Sequence, residues 1–188
     1  MSDKPEYTLV REVTRTYNQC PYKWLFEKYK ADCRIFVETG TYLGDSLRAA
    51  LELGYEKVIS VEENQSQYDQ SKARLADLSE DQQKKLHMFL GNSATKMPEM
   101  LALVDTRALF WLDAHYMDGR PAFIELEHIK GHAIKNHVII VDDIPLYFGN
   151  GSELKKVILG INPDYKFTFE TFPPRASEHK DYHLVAHF

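Results

Sequence analysis

Cysteine is nearly missing from this chain: Cys20 and Cys33 are the only two in 188 residues. That excludes a disulfide-stapled scaffold and a cysteine-ligated metal centre, and a reducing compartment is the simplest setting. Long apolar runs are missing too. No stretch approaches the roughly 18 residues that a bilayer-crossing helix needs. The opening "MSDKPEYTLVREV" lacks the apolar core of an export signal, so a cytoplasmic location away from membranes is expected. Positive charge is in short supply. With 23 Lys plus Arg against 28 Asp plus Glu, the formal charge is -5, and no nucleic-acid partner is expected without clustered cations. Glycine and proline, at 9 and 8, form no linker, and the chain shows no repeat or low-complexity tract.

What is present suits one domain with a proper core: 44% of residues are hydrophobic and 27% charged. The expected layout is a single domain over residues 1–188, of which 1–34 form an N-terminal helical segment. A helix over about Tyr7 to Tyr29 is predicted there, interrupted at Pro21 because proline cannot continue a helix interior. Beyond it, strand and helix patterns alternate. Near-continuous apolar runs end at Glu38, Glu62, Gly91, Asp113 and Asp143, as expected for strands covered on both faces of a parallel sheet. Helices are predicted over Ser46–Leu53, Ser66–Leu78, Met97–Leu103, Ala122–Lys135 and Ser152–Leu159, with Ser152 as N-cap and Gly54 as a C-terminal glycine. "YKFTFET" and "YHLVAHF" close the chain as a hairpin. The predicted fold class is α/β: one doubly wound, mostly parallel, Rossmann-like sheet ending in an antiparallel hairpin. Such sheets gather ligands outside the carboxyl ends of their strands, where Glu38, Glu62, Asp113, Asp142 and Asp143 fall.

The first of those ends is "IFVETGTYLGDS". Gly40 and Gly44 allow a sharp turn and a close backbone approach to a ligand. The spacing E-x-G-x-x-x-G matches neither the dinucleotide turn nor the phosphate loop, and Asp45 stands where a phosphate loop carries lysine. A loop bearing Glu38 and Asp45 suits a neutral or cationic ligand; the alternative is a tight turn that binds nothing. Glu62 follows at about the distance where an acid accepts hydrogen bonds from ribose hydroxyls. Glu63 faces away from it, because strand neighbours point to opposite faces. The third strand ends in "GNSA", where Ser93 can reach an adenine edge.

The series "VETGTYLGDS", "VISVEEN", "FLGNSA", "FWLDAHY" and "IIVDD" resembles the class I S-adenosylmethionine-dependent methyltransferases, and among them the metal-dependent O-methyltransferases of the catechol and macrocin types. The resemblance implies that the glycine loop backs the methionine part of S-adenosyl-L-methionine and that the acid after strand two holds its ribose. Those roles fall on Glu38, Gly40, Gly44 and Glu62, with Ser93 near the adenine. Thr41, Asp45, Ser46, Glu63, Asn92 and Asp113 complete the implied cofactor site. A sulfonium cation carries no phosphate, so an acidic loop without lysine is tolerable.

Asp113, His115, Asp142 and Asp143 form a second constellation at the tips of two strands expected to be neighbours. Gathered carboxylates repel unless a cation neutralises them, and hard oxygen donors suit Mg²⁺ or Mn²⁺. The resemblance implies Asp113, Asp142 and Asp143 as metal ligands. Asp113 and His115 are the catalytic candidates, with His115 as base or as a further ligand; the catechol type has a lysine there. Tyr116, Asp118 and Arg120 share that loop. His128 and His132, four apart on a predicted helix, either pair around a metal or lie on a solvated face. Tyr147 and Phe148 in "IPLYFGNG" stack on an acceptor or cover the core, and "FPPRASEHKD" forms a second wall. A likeness of "FWLDAHY…ELEHI…HVIIVDD" to proteins associated with glycan modification implies a sugar hydroxyl as acceptor.

The expected activity is O-methyl transfer to a hydroxylated small molecule or glycan with divalent-metal assistance. The alternatives are a metal-independent small-molecule methyltransferase, an enzyme that binds NAD or a nucleotide-sugar, and a non-catalytic cofactor-binding module. A homodimer is compatible with the sequence.

Overall fold

The computed structural model describes residues 20–114, 120–171 and 182–188. Seven strands form one sheet in the order β3-β2-β1-β4-β5-β7-β6. They are β1 (Ile35–Thr39), β2 (Lys57–Glu62), β3 (Leu86–Leu90), β4 (Ala108–Leu112), β5 (Val138–Val141), β6 (Lys166–Glu170) and β7 (His183–His187). The first five run parallel, and β7 enters antiparallel between β5 and β6, which gives the predicted hairpin.

Helices cover both faces, which is why the central strands read as unbroken apolar runs. One face carries Phe36, Val58, Leu109, Trp111 and Ile140 under α1 (Lys23–Tyr29), α2 (Asp45–Glu52) and the end of α3 (Gln65–Arg74). The other carries Val37, Val61, Phe110, Leu112 and Val141 under α5 (Ser93–Leu101), α6 (Arg120–Gly131) and α8 (Ser152–Leu159). Phe110 and Trp111 are core, as expected. Burying each such side chain contributes about 1.5–3 kcal/mol.

Several boundaries differ from those predicted, each for a local reason. The helix starting near Ser66 stops at Arg74, and a separate α4 (Glu80–Lys85) follows, started by a Ser79–Gln82 capping box. Helix α5 begins at Ser93, not Met97, because the Asn92 side chain accepts from the Ala94 N–H and caps it. Pro98 sits inside this helix and has no N–H for the Ala94 carbonyl four residues back. His128 Nε2 lies 3.1 Å from that carbonyl and takes the place of the missing donor. Helix α6 ends at Gly131, so His132 lies beyond it and bonds His137 at 3.2 Å. The suggested His128–His132 metal pair is thereby overturned. Gly151, in the left-handed conformation, precedes α8 in place of the predicted Ser152 cap, and Asn150 Oδ1 accepts from the Ser152 N–H. The short α7 (Ile144–Tyr147) follows β5.

The predicted helix before residue 20, His115, Tyr116, Asp118 and the "FPPRASEHK" wall lie outside the described residues. Among those described, no helix is long and apolar enough to cross a membrane. The strand order reverses between β1 and β4, so a crevice opens at the carboxyl ends of those two strands.

Candidate functional site

Among the described residues, Glu38, Gly40, Glu62, Asp113, Asp142 and Asp143 lie at or just after the carboxyl ends of β1, β2, β4 and β5. Thr39, the last residue of β1, is opposite Leu112, the last of β4, so Gly40 and Asp113 leave the sheet side by side. The Asp113 N–H donates to the Thr39 carbonyl at 3.1 Å. Gly40 has a φ of +91°, and a Cβ there would come within 3.0 Å of the Asp113 carbonyl oxygen. Only glycine allows this approach. Gly44, with φ +80°, packs equally closely on Leu75.

Glu38 lies beneath the glycine loop and is 1% exposed. Its carboxyl accepts from Ser60 Oγ at 2.8 Å, and Ser60 is bonded in turn to Thr41 Oγ1 at 2.6 Å. Burial pushes its pKa up to about 8, against the opposing hydrogen bonds from Ser46 and Ser60. The native protein therefore keeps a proton that the unfolded chain, with the ordinary value of 4.5, releases. Stability contributed at this position falls as pH rises from about 4.5 to about 8. Glu38→Gln, which copies the protonated form, is expected to flatten that decline. Urea unfolding at about pH 5 and about pH 9 checks this, and a slope identical to that of the parent protein contradicts it.

Glu62 closes the next strand. Its two carboxylate oxygens accept from the Tyr42 N–H at 2.8 Å and the Asn64 N–H at 2.9 Å. These donors fix the carboxylate at the rim, and each oxygen retains a lone pair for a ligand hydroxyl. Tyr42 adopts φ +50°, a disfavoured conformation for a bulky residue, as it delivers its N–H. Glu63 is exposed and accepts from Asn92 Nδ2 at 3.4 Å.

Two loop residues behave differently from expectation. Asp45 is ion-paired with Arg74 at 2.6 Å, so a cation from α3 compensates the acidic loop that the sequence shows without lysine. Ser93 is 5% exposed and lies beside the buried Glu125 of α6. Glu125 itself was not singled out from the sequence. An acid inside an amphipathic helix normally reads as surface, and only its 0% exposure distinguishes it.

Across the crevice, Asp113, Asp142 and Asp143 each bring a carboxylate oxygen within 4.8 Å of the other two. Asp143 reaches the cluster through a left-handed turn, φ +55°, and its N–H donates to Asp142 Oδ1 at 2.7 Å. Asp142 is 2% exposed, and its Oδ1 also lies 2.7 Å from His183 Nδ1 on β7. Burial pulls the His183 pKa down, against the carboxylates of Asp143 and Glu170. Tyr22, next to α1, packs its ring 4.9 Å from Trp111 and 5.5 Å edge-on from His183. Burial, then the negative potential of Asp142, Asp113 and Asp143, pushes its phenol pKa upward. Sequence reading missed Tyr22 and His183, which no short motif links to the acids. Phe148 packs on Phe123 and covers the core, while the half-buried Tyr147 lies beside it.

Three all-oxygen ligands this close fit one hard divalent cation, and the acids repel one another without it.

This fold recurs in solved structures. The chain is similar to a proposed caffeoyl-CoA O-methyltransferase from Staphylococcus aureus, at 14% identity and TM-score 0.64 over 96% of this chain and 88% of that one. It is similar to the glycopeptide N-methyltransferase MtfA, at 12% identity and TM-score 0.62 over 95% and 98%. A third is the O-methyltransferase TomG from Streptomyces achromogenes, solved with S-adenosylmethionine, at 14% identity and TM-score 0.60 over 95% and 84%. No family model matches the chain, and no curated protein matches it in sequence. At these identities the likeness is one of fold. The fold is that of the class I S-adenosylmethionine-dependent methyltransferases.

Proposed function

We propose that this protein transfers a methyl group from S-adenosyl-L-methionine to a hydroxyl, of a sugar or other glycan acceptor, with help from Mg²⁺ or Mn²⁺. The observation that carries the reading is the contact between Gly40 and Asp113, which sets a glycine cradle against an acid cluster on one sheet edge. Glu62, fixed by the Tyr42 and Asn64 N–H groups, offers acceptors to ribose hydroxyls. Gly40 lets the methionine portion approach the backbone. Asp113, Asp142 and Asp143 would hold the cation, which lowers a hydroxyl's pKa when bound. Holding donor and acceptor side by side along one edge would reduce the entropic part of the barrier. His115 is the candidate base by its place two residues after Asp113. The sugar preference rests on the glycan-modification resemblance of "FWLDAHY…ELEHI…HVIIVDD".

The likeness to MtfA, a glycopeptide N-methyltransferase, favours a second reading, transfer to nitrogen; metal-independent transfer to a small molecule is the alternative the acids leave open. Two measurements separate the possibilities. Thermal shift with S-adenosylhomocysteine and with NAD is expected to show stabilisation by the former alone, since a ligand stabilises the state it binds. Preferential stabilisation by NAD would remove the methyltransferase reading. Mass-spectrometric screening of hydroxylated and amine acceptors, with and without EDTA, then reports the atom methylated. Loss of hydroxyl-methylated product in EDTA, restored by Mg²⁺ or Mn²⁺, is the expected result; full turnover in EDTA would remove the metal role, and product on amines alone would leave the nitrogen reading.

A further inference from the structure

We propose that Glu125 is a positioning residue whose buried carboxyl clamps the exits of β1, β3 and β4 into the arrangement that receives the cofactor. The proposal rests on the methyltransferase reading and assigns a role to a residue that reading leaves unused.

Glu125 projects from α6 and is 0% exposed. Its Oε2 accepts from Thr39 Oγ1 at 3.3 Å, and Ser93, the first residue of α5, lies beside the same carboxyl. Thr39 Oγ1 accepts in turn from the Asp113 N–H at 3.3 Å. One side chain thereby bonds the last residue of β1 and, through Thr39, reaches the first residue after β4, while it lies beside the first residue of α5. Those segments bear the glycine cradle, the adenine-side loop and the acid cluster. The other oxygen, Oε1, has no hydrogen-bond partner among the described residues.

A leucine would fill this place in the apolar layer between sheet and helix without leaving an oxygen unpaired. What leucine lacks is the polar group that Thr39 bonds at these ligand-bearing exits. Burial pushes the Glu125 pKa up to about 7, with Ser93 and Thr39 opposing. The Thr39 hydroxyl can donate to the group in either protonation state, so a glutamine oxygen can replace the carboxyl as its acceptor.

The test uses the full chain, S-adenosylhomocysteine as probe, and calorimetric affinity alongside melting temperature. Glu125→Leu is expected to lower affinity on the order of 10-fold, the scale of mutations that act through intervening groups. Its melting temperature should hold or rise, because a buried acid is exchanged for an apolar residue. Glu125→Gln should recover affinity to within about threefold of the parent. Ser93→Ala should weaken binding by itself and add nothing in the Glu125→Leu background, the non-additivity expected of one shared network. Parent-like affinity in Glu125→Leu overturns the assignment. So does a joint fall of affinity and melting temperature that Glu125→Gln does not recover, since that pattern marks a fold-wide defect. Failure of the parent protein to bind S-adenosylhomocysteine removes the methyltransferase reading itself, and the assignment with it.

Discussion

Asp142→Asn is expected to reduce methyl transfer by about 10²–10³-fold, the scale of losing one charged group that stabilises a developing oxyanion or the cation beside it. The asparagine keeps the volume and one acceptor oxygen. The Asp143 N–H and His183 Nδ1, both 2.7 Å from Oδ1, therefore retain a partner and the fold is spared. What disappears is one negative charge from a cluster whose oxygens lie within 4.8 Å. S-adenosylhomocysteine affinity should stay within about threefold, because β5 lies three strands from β2 in the sheet, about 14 Å at the usual strand spacing. Steady-state turnover and calorimetry on the same preparation check both halves. Undiminished turnover would take Asp142 out of the chemistry.

Glu62→Ala should give the reverse pattern. Two hydrogen bonds from ribose hydroxyls to a carboxylate contribute roughly 1.5 kcal/mol each, so the Kd for S-adenosylhomocysteine should rise about 10²-fold. The Tyr42 and Asn64 N–H groups lose their acceptor as well, which loosens the rim. Turnover at saturating S-adenosylmethionine should change little, because the lost contacts act equally in ground and transition states. Glu62→Gln retains one acceptor oxygen and should fall between alanine and parent. Normal affinity in the alanine variant would refute the ribose role.

These opposite signatures depend on a separation that no one-dimensional reading supplies. The motif after β1 and the acids after β4 and β5 were legible because strand ends punctuate apolar runs, and acids at such ends stand out. A serine after a strand invites a ligand role, and its burial beside Glu125 was not legible from the sequence. The Asp45–Arg74 pair was invisible because its partners belong to different helices. Helix α4 was readable in principle, since Ser79 and Gln82 have capping-box spacing, yet its buried face is empty and no periodicity drew attention to it.

The sequence by itself determined the α/β alternation, the five parallel strands and the row of acids along one edge. Those features follow from local rules: apolar runs that need cover on both faces, glycines that turn, and acids that end strands. Tertiary structure alone decided that Gly40 abuts Asp113, that His183 and Tyr22 flank the acids, and that Glu125 is buried among three exits. The reason is packing: strands distant in the chain become neighbours only when helices from both halves close on the sheet, and burial then changes what each polar group can do.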